Sequence, residues 1–415
     1  MEYRKIESHL FLRRIFLLFT VLMMGACASH RYLANSGHEL FDRRDFIGAA
    51  EQFKKVASKK GANQLLFMLD EGMSHFAARQ YKEAIDVFLA AEKVAEIKDY
   101  TSISEETGTL LTGDNVRGYK GEDFEKVLIN IYLALSYSAL GNVEDAQVEA
   151  RKINLLLYKM IHDGKRNYQE SPLARYLSAM LWENTKDWDS AYVDYKNTYD
   201  LDSTFPEIER DLLAMSRKNG FSDRLEEWRK KFPNAQERSI KKNEGEIVVF
   251  FEAGRGPEKI PRDGENSNLP RYVRRSGDRL AARVKLKDKT SPKLADVLDI
   301  ESLSIAYLED RISRMAAAKL AGLVAKGVVA YGAAKATKDS DLGQLLFIAL
   351  LAADQADLRA WRTLPAKIQM LRWPMPEGSY DLQLEVLGIG DIVLDTIPFS
   401  GVSVQKGKKT FLIAR

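Results

Sequence analysis

The residue types that could do chemistry are scattered along this chain, and each short word that holds them lacks a member its chemistry needs. His38 and Glu39 begin a zincin-like word, in which two histidines one helical turn apart hold zinc and the glutamate acts as base, but Asp42 stands where the second histidine belongs. Ser239 to Lys242 and Ser403 to Lys406 both read Ser-x-x-Lys, the nucleophile word of penicillin-interactive enzymes, without the Ser-Asp-Asn and Lys-Thr-Gly elements that complete it. Gly254, Gly256, Pro257, Glu258 and Lys259 form a glycine-rich stretch without the Gly-Lys-Ser/Thr ending that cradles a phosphate. The histidines lie at 9, 30, 38, 75 and 162, so the chain beyond His162 has no side chain that ordinarily titrates near neutrality. Acidic residues are abundant, but no pair is set apart by its spacing. The expectation is a protein that is not an enzyme and that takes no metal and no cofactor.

Cys27 is the one cysteine in 415 residues. Arg4, Lys5, Arg13 and Arg14 precede an apolar run from Ile15 to Met24, and the small residues Gly25 and Ala26 lead into the thiol. This order is that of a secretory signal ending in a lipobox-like site. The run is about half of the roughly 20 apolar residues that a bilayer-spanning helix needs, which disfavours an uncleaved anchor. Residues 1–26 are therefore expected to be a lipoprotein signal peptide, Cys27 the lipidated residue, and 27–37 a tether. Ala28 and Ser29, rather than aspartate, follow the cysteine and resemble an outer-membrane address with the body facing the periplasm.

Removing residues 1–26 takes four basic and two acidic groups from totals of 62 and 59, leaving a formal charge of +1, which argues against nucleic acid as a partner. With no second cysteine, neither an internal disulfide nor a cysteine-based zinc site can form, so the fold rests on packing.

Residues 38–240 carry a recurring pattern: an aromatic residue, alanine three positions on, and a bulky residue four beyond that. Phe46, Ala49 and Phe53 recur as Tyr81, Ala84 and Phe88, displaced by 35 positions, close to the 34-residue tetratricopeptide period. Val143, Ala146 and Ala150 continue the series, as do Trp188, Ala191 and Tyr195. The alanine is needed where two helices approach closely. Asp45, Gln80, Asn142 and Asp187 supply turn or cap chemistry just before each second helix. The second and third instances are separated by about 28 residues more than one period, and the surplus, 97–123, is rich in Thr, Ser and Gly and predicts a long loop. A stack of helix pairs offers a concave groove to an extended peptide or a partner's helix.

From residue 245 the pattern changes. Ile247 to Phe251 form a β-branched and aromatic run, with further strands expected at Tyr272 to Arg274 and Leu280 to Leu286. Residues 301–357 return to helical periodicity as a hairpin: a basic, small-residue-rich helix over about 311–338, then an apolar one over Leu342 to Ala353. Neither helix offers an uninterrupted apolar span, so burial against the β region is expected. Strands follow over 366–415, at Lys367–Arg372, Tyr380–Val386, Ile392–Ile397, Gly401–Gln405 and Thr410–Ala414, fitting a small antiparallel sheet or sandwich. The fold class is therefore α+β: an N-terminal all-α tetratricopeptide-like (TPR-like) repeat domain, then a C-terminal antiparallel β-rich domain, 245–415, with a helical hairpin inserted.

Gly118-Tyr119-Lys120-Gly121-Glu122-Asp123-Phe124-Glu125 and the tract from Ala356 to Ala366, with Arg359 and Trp361, carry a more specific resemblance. With the lipobox, they resemble a family of Gram-negative lipoproteins that join tetratricopeptide-like repeats to a C-terminal β region. The resemblance implies no catalytic activity. Tyr119, Lys120, Glu122, Arg359 and Trp361 are the candidate partner-binding residues, although a helix entry for the first tract and a helix-to-strand junction for the second would explain them structurally. The function expected is a lipid-anchored periplasmic scaffold or adaptor whose groove holds a protein partner in cell-envelope biogenesis or maintenance. A regulator of peptidoglycan synthesis and an envelope hydrolase are the alternatives.

Overall fold

A computed structural model describes residues 32–112, 118–162, 171–262, 268–287, 289–337, 340–352 and 355–415. The expected signal peptide, 1–26, and Cys27 lie outside the described residues. Within the expected tether, 27–37, residues 32–37 belong to a helix, α1 (32–42), whose Gly37 packs against the Phe53 ring.

Nine further helices follow: α2 (Phe46–Ala57), α3 (Gln64–Ala77), α4 (Tyr81–Thr112), α5 (Asp123–Ala139), α6 (Val143–His162), α7 (Pro172–Thr185), α8 (Trp188–Leu201), α9 (Ile208–Lys218) and α10 (Ser222–Lys231). Consecutive helices pack on one another from α2 to α10, and α1 lies on α2 through His38 and Gly37 against Phe53. The repeat word marks the second helix of four pairs. Ala49, Ala84, Ala146 and Ala191 are fully buried at the crossings, as are Phe53, Phe88, Ala150 and Tyr195 one turn later. Asp45 accepts from the Gly48 amide and Asp187 from the Ser190 amide, the expected caps of α2 and α8. Pro172 at the first helical position and Ser171 as cap start α7, and Lys186 in the left-handed region ends it.

The loop expected over 97–123 is mostly helix, because α4 continues to Thr112. The segment has no proline, and its Ser and Thr each cost only a few tenths of a kcal/mol in a helix already nucleated.

The C-terminal half begins with β1 (Glu244–Ala253), then β2 (Glu258–Pro261), β3 (Pro270–Val273), β4 (Ala281–Leu286), β5 (Lys289–Lys293) and β6 (Ala295–Asp299). The helical hairpin is α11 (Ile300–Thr337) and α12 (Ser340–Ala352), and four strands close the chain: β7 (Lys367–Pro376), β8 (Gly378–Leu387), β9 (Val393–Val404) and β10 (Lys409–Ala414). One sheet has the order β10-β1-β7-β6, a second β5-β4-β8-β9, and β2 pairs with β3. Most pairs are antiparallel, as expected, while β1 and β10 run parallel. Alternation along a strand shows which side chains share a face; it carries no information about the direction of a neighbour 160 residues away. The two strands expected at 392–405 are one, β9, in which Gly401 takes a positive φ of 64° beside a register shift and absorbs the bend as a bulge.

β1 is buried on both faces, which its continuous apolar run required. Ile247, Val249, Phe251 and Ala253 join the core between the two sheets, with Val284, Leu382 and Val386. Val248 and Phe250 point the other way, into a core shared with the helices. The same alternation places Ile368, Met370 and Arg372 of β7, and Lys409, Phe411 and Ile413 of β10, on that helix-facing side. Helix α5 is buried almost all round because it lies between α4 and α6 on one side and this sheet on the other.

Candidate functional site

The groove side of the repeats is occupied by the protein's own sheet. Its helix-facing surface is apolar in the middle and charged at both ends, with Glu246, Arg372 and Lys409 at one and Glu252 with Arg415 at the other. The first end meets polar groups of α7, α8 and α9, and the second meets α5.

The Arg372 side chain has no solvent exposure. Its Nη2 donates to Glu183 Oε2 at 2.8 Å and Glu246 Oε2 at 2.7 Å, and its Nη1 to Tyr195 OH at 2.8 Å and Asp211 Oδ1 at 3.1 Å. Tyr195 OH donates to Glu183 at 2.8 Å and Tyr176 OH to Asp211 at 2.5 Å. Arg238, in the segment joining the two halves, donates to Asp211 and, at 3.2 Å, to Glu246. Lys409 Nζ completes the set, bonding Glu246 and lying 3.1 Å from Glu183. Three cations thus face three carboxylates in a water-poor space. Burial alone would raise both glutamates, but Arg372 and Lys409, joined by Lys218 at Glu183 and Arg238 at Glu246, hold Glu183 well below the carboxylate range and Glu246 at about 2. Burial pushes the Tyr176 and Tyr195 phenols well above their usual range, so both remain hydrogen-bond donors.

At the other end, Tyr132 OH donates to Glu252 Oε1 at 2.7 Å, and Arg415 Nη1 lies 3.6 Å from Glu252 Oε2. Arg415 Nη1 also donates to the Thr363 carbonyl at 2.6 Å. Burial raises the Glu252 carboxyl despite Arg415.

The two tracts singled out in the sequence meet between these ends. Glu122 and Glu125 form a capping box at the start of α5. Glu125 accepts from Tyr119 OH and, at 2.9 Å, from the Trp361 amide. Glu122 pairs with Lys259 at 2.5 Å and with Arg311, which hold its carboxyl at about 2 against the opposing effect of burial. Arg359 lies over the Tyr119 ring and reaches Asp357 and, at 3.0 Å, Asn63 Oδ1. Trp361 packs edge-on to Phe88 and Tyr132, and its Nε1 donates to Thr363 Oγ1 at 3.0 Å. Thr363 Oγ1 donates in turn to Asp70, whose other oxygen is 3.0 Å from His38 Nε2.

Tyr119, Glu122, Arg359 and Trp361 are therefore brought together, and their contacts are to one another and to the two halves of the chain. Tyr119 and Trp361 are 4% and 2% exposed, which removes them from any outer contact surface. Lys120 is exposed at the edge of the cluster. The expectation of an open groove is corrected by the same geometry, since sheet, Trp361 and Tyr307 fill it. Sequence reasoning missed Arg372, Glu183, Asp211, Glu246 and Lys409. A signal was present, because Glu246 directly precedes the apolar run of β1 and Arg372 interrupts that of β7.

A cleft lined by Glu183, Lys218, Glu246, Lys408 and Lys409 opens beside the Arg372 cluster. Burial, opposed by Glu183, pulls the Lys218 ammonium below the usual lysine range. The carboxylates here are already engaged by cations, which leaves none poised as a free acid or base. Among the described residues no group of three or more His, Cys, Asp and Glu is placed to hold a metal ion.

No protein-family model matches the chain, and no curated protein does. Solved structures that it overlaps include a tetratricopeptide repeat protein from Parabacteroides merdae, at 15% identity over 50% of this chain and 68% of that one, with a TM-score of 0.34. A MamA structure overlaps at 15% identity over 47% of this chain and 91% of that one (TM-score 0.32), and MamA from Desulfovibrio magneticus RS-1 at 12% over 49% and 92% (TM-score 0.34). The helix-pair architecture rests on the packing of α1 through α10 and not on these overlaps.

Proposed function

We propose that the protein is a non-catalytic scaffold of the Gram-negative envelope, lipidated at Cys27, held on the outer membrane facing the periplasm, and bound to a protein partner in envelope biogenesis or maintenance. The observation that supports it is the single core shared by helices and sheet, in which the convergent charges hold the two halves of the chain together. A body built this way presents a fixed outer surface. With the groove filled from within, partner contact falls to outward faces of the repeats, where Ile47, Val148 and Val193 of α2, α6 and α8 are exposed.

Cross-linking in intact envelopes, followed by pull-down, tests the reading. A partner captured by the wild type is expected to be lost from Val148→Asp and Val193→Asp variants that retain the wild-type melting temperature. Capture that is independent of every outward repeat position counts against the scaffold reading. Failure of Cys27 to incorporate labelled palmitate removes the anchor alone.

A further inference from the structure

The α11–α12 hairpin departs from the expected burial against the β region. The first third of α11 is fastened to the body: Tyr307 OH donates to Asp123 at 2.6 Å, Arg311 pairs with Glu122, and Leu308 packs with Tyr272 and Ala360. Beyond Met315 its large apolar side chains face outward. Leu320, Val324, Val328 and Tyr331 follow one another down one stripe and are 66 to 71% exposed, and Leu345 and Ile348 of α12 are 65% and 62% exposed.

The seam between the two helices has the opposite composition. Ala330 and Gly343 are buried there, and a Cβ on Gly343 would stand 2.6 Å from the Ala334 Cβ and 3.0 Å from the Ala330 carbonyl oxygen. A helix pair built for water does the reverse, with leucine and valine inside and polar groups outside. Small residues inside and large apolar residues outside is the arrangement used where the surroundings are lipid. By length and composition α11 can cross a membrane, yet only 17% of its most apolar window is buried, so the role of a core helix does not account for it. The stripe is flanked by Lys319 and Lys335, about 24 Å apart along the axis, a span comparable to the hydrocarbon thickness, with basic ends that suit anionic headgroups. Lys326, the charge between them, is 1% exposed and turned away from the stripe.

We infer that this hairpin enters a lipid bilayer carrying anionic headgroups, as a membrane contact separate from the lipid at Cys27. The test uses the full chain with Cys27→Ser and Val328→Cys, so that the introduced thiol is the sole one, labelled with the environment-sensitive nitrobenzoxadiazole fluorophore. On adding vesicles of phosphatidylethanolamine and phosphatidylglycerol, the emission is expected to shift to the blue and to be quenched severalfold by doxyl-labelled lipid. The same dye at Glu309→Cys, on the fastened third of α11, is expected to be unaffected. Emission at 328 that ignores vesicles overturns the inference. So does a blue shift produced in the absence of lipid by raising the protein concentration, which assigns the stripe to a second copy. Because the variant carries no lipid, the outcome is independent of whether Cys27 is acylated.

Discussion

The Arg372 guanidinium lies between Glu183 of α7 and Glu246 of β1, 2.8 and 2.7 Å from their carboxylates, and so ties the repeats to the sheet through one side chain. Replacing both sides of such a buried pair by apolar groups can be neutral, but removing one partner strands the others. Arg372→Met leaves the three carboxylates of Glu183, Asp211 and Glu246 with only the cations Arg238 and Lys409 bonded to them, and it is expected to destabilise the protein by about 3–5 kcal/mol in chemical denaturation. Loss of a single cooperative transition is expected with it, the sheet melting before the helices. A stability within about 0.5 kcal/mol of wild type rejects the structural role assigned to the cluster.

The acid limb of stability follows from the depressed carboxyls. Glu122 and Glu246 titrate at about 2 in the folded protein, below their unfolded value, so their contribution is complete above about pH 4.5 and is lost as pH falls toward 2. Glu71 of α3 has the opposite sign: burial raises it to about 7, so folding is favoured below about pH 4.5 and that contribution disappears as pH rises through 7. Glu71→Gln is expected to remove this loss, on the order of 1–2 kcal/mol after allowance for its solvent contact, and to flatten stability between pH 5 and 8 in urea titrations. An unchanged slope across that window rejects the assignment.

The helix crossings predict a size limit. Ala146 and Ala191 are fully buried where paired helices meet, so Ala191→Leu is expected to cost about 1–3 kcal/mol by overpacking. Val193→Leu, on the exposed side of the same helix, is expected to fall within about 0.5 kcal/mol of wild type. Equal effects at the two positions contradict the repeat packing.

In the hairpin, Gly343→Val is expected to part α12 from α11, since the added Cβ would overlap Ala334. Hydrogen exchange is expected to quicken over 322–334 and remain slow in β1 and β7. Quickening in the sheet as well would show that the hairpin is not a separate element.

The repeats were legible because their signal is local. Ala49, Ala84, Ala146 and Ala191 mark crossings between helices adjacent in sequence, so spacing alone locates them. The α4 extension was misread because Thr101, Ser102 and Ser104 are weak helix formers, and propagation from a formed helix overrides such preferences. The filling of the groove was not legible. It depends on which face of β1 meets which helix, and the alternation that separates Val248 from Val249 gives two faces without naming their neighbours. The tract around Trp361 was found as a word, whereas its meaning lay in Glu125, more than 230 positions earlier.

The parallel pairing of β1 with β10 sets the order in which the molecule can be assembled. Glu246 must wait for Lys409, and Phe250 for Ile413, so the layer that covers the repeats cannot close while the intervening hairpin and strands are still arriving. Helix pairs made of near neighbours form early, and long-range strand pairing is slow. For that interval Phe88 and Tyr132 lack the Trp361 that covers them, and Tyr176 lacks Arg372. The newly made chain therefore passes through a stage at risk of aggregation, when a holding chaperone has most to grip.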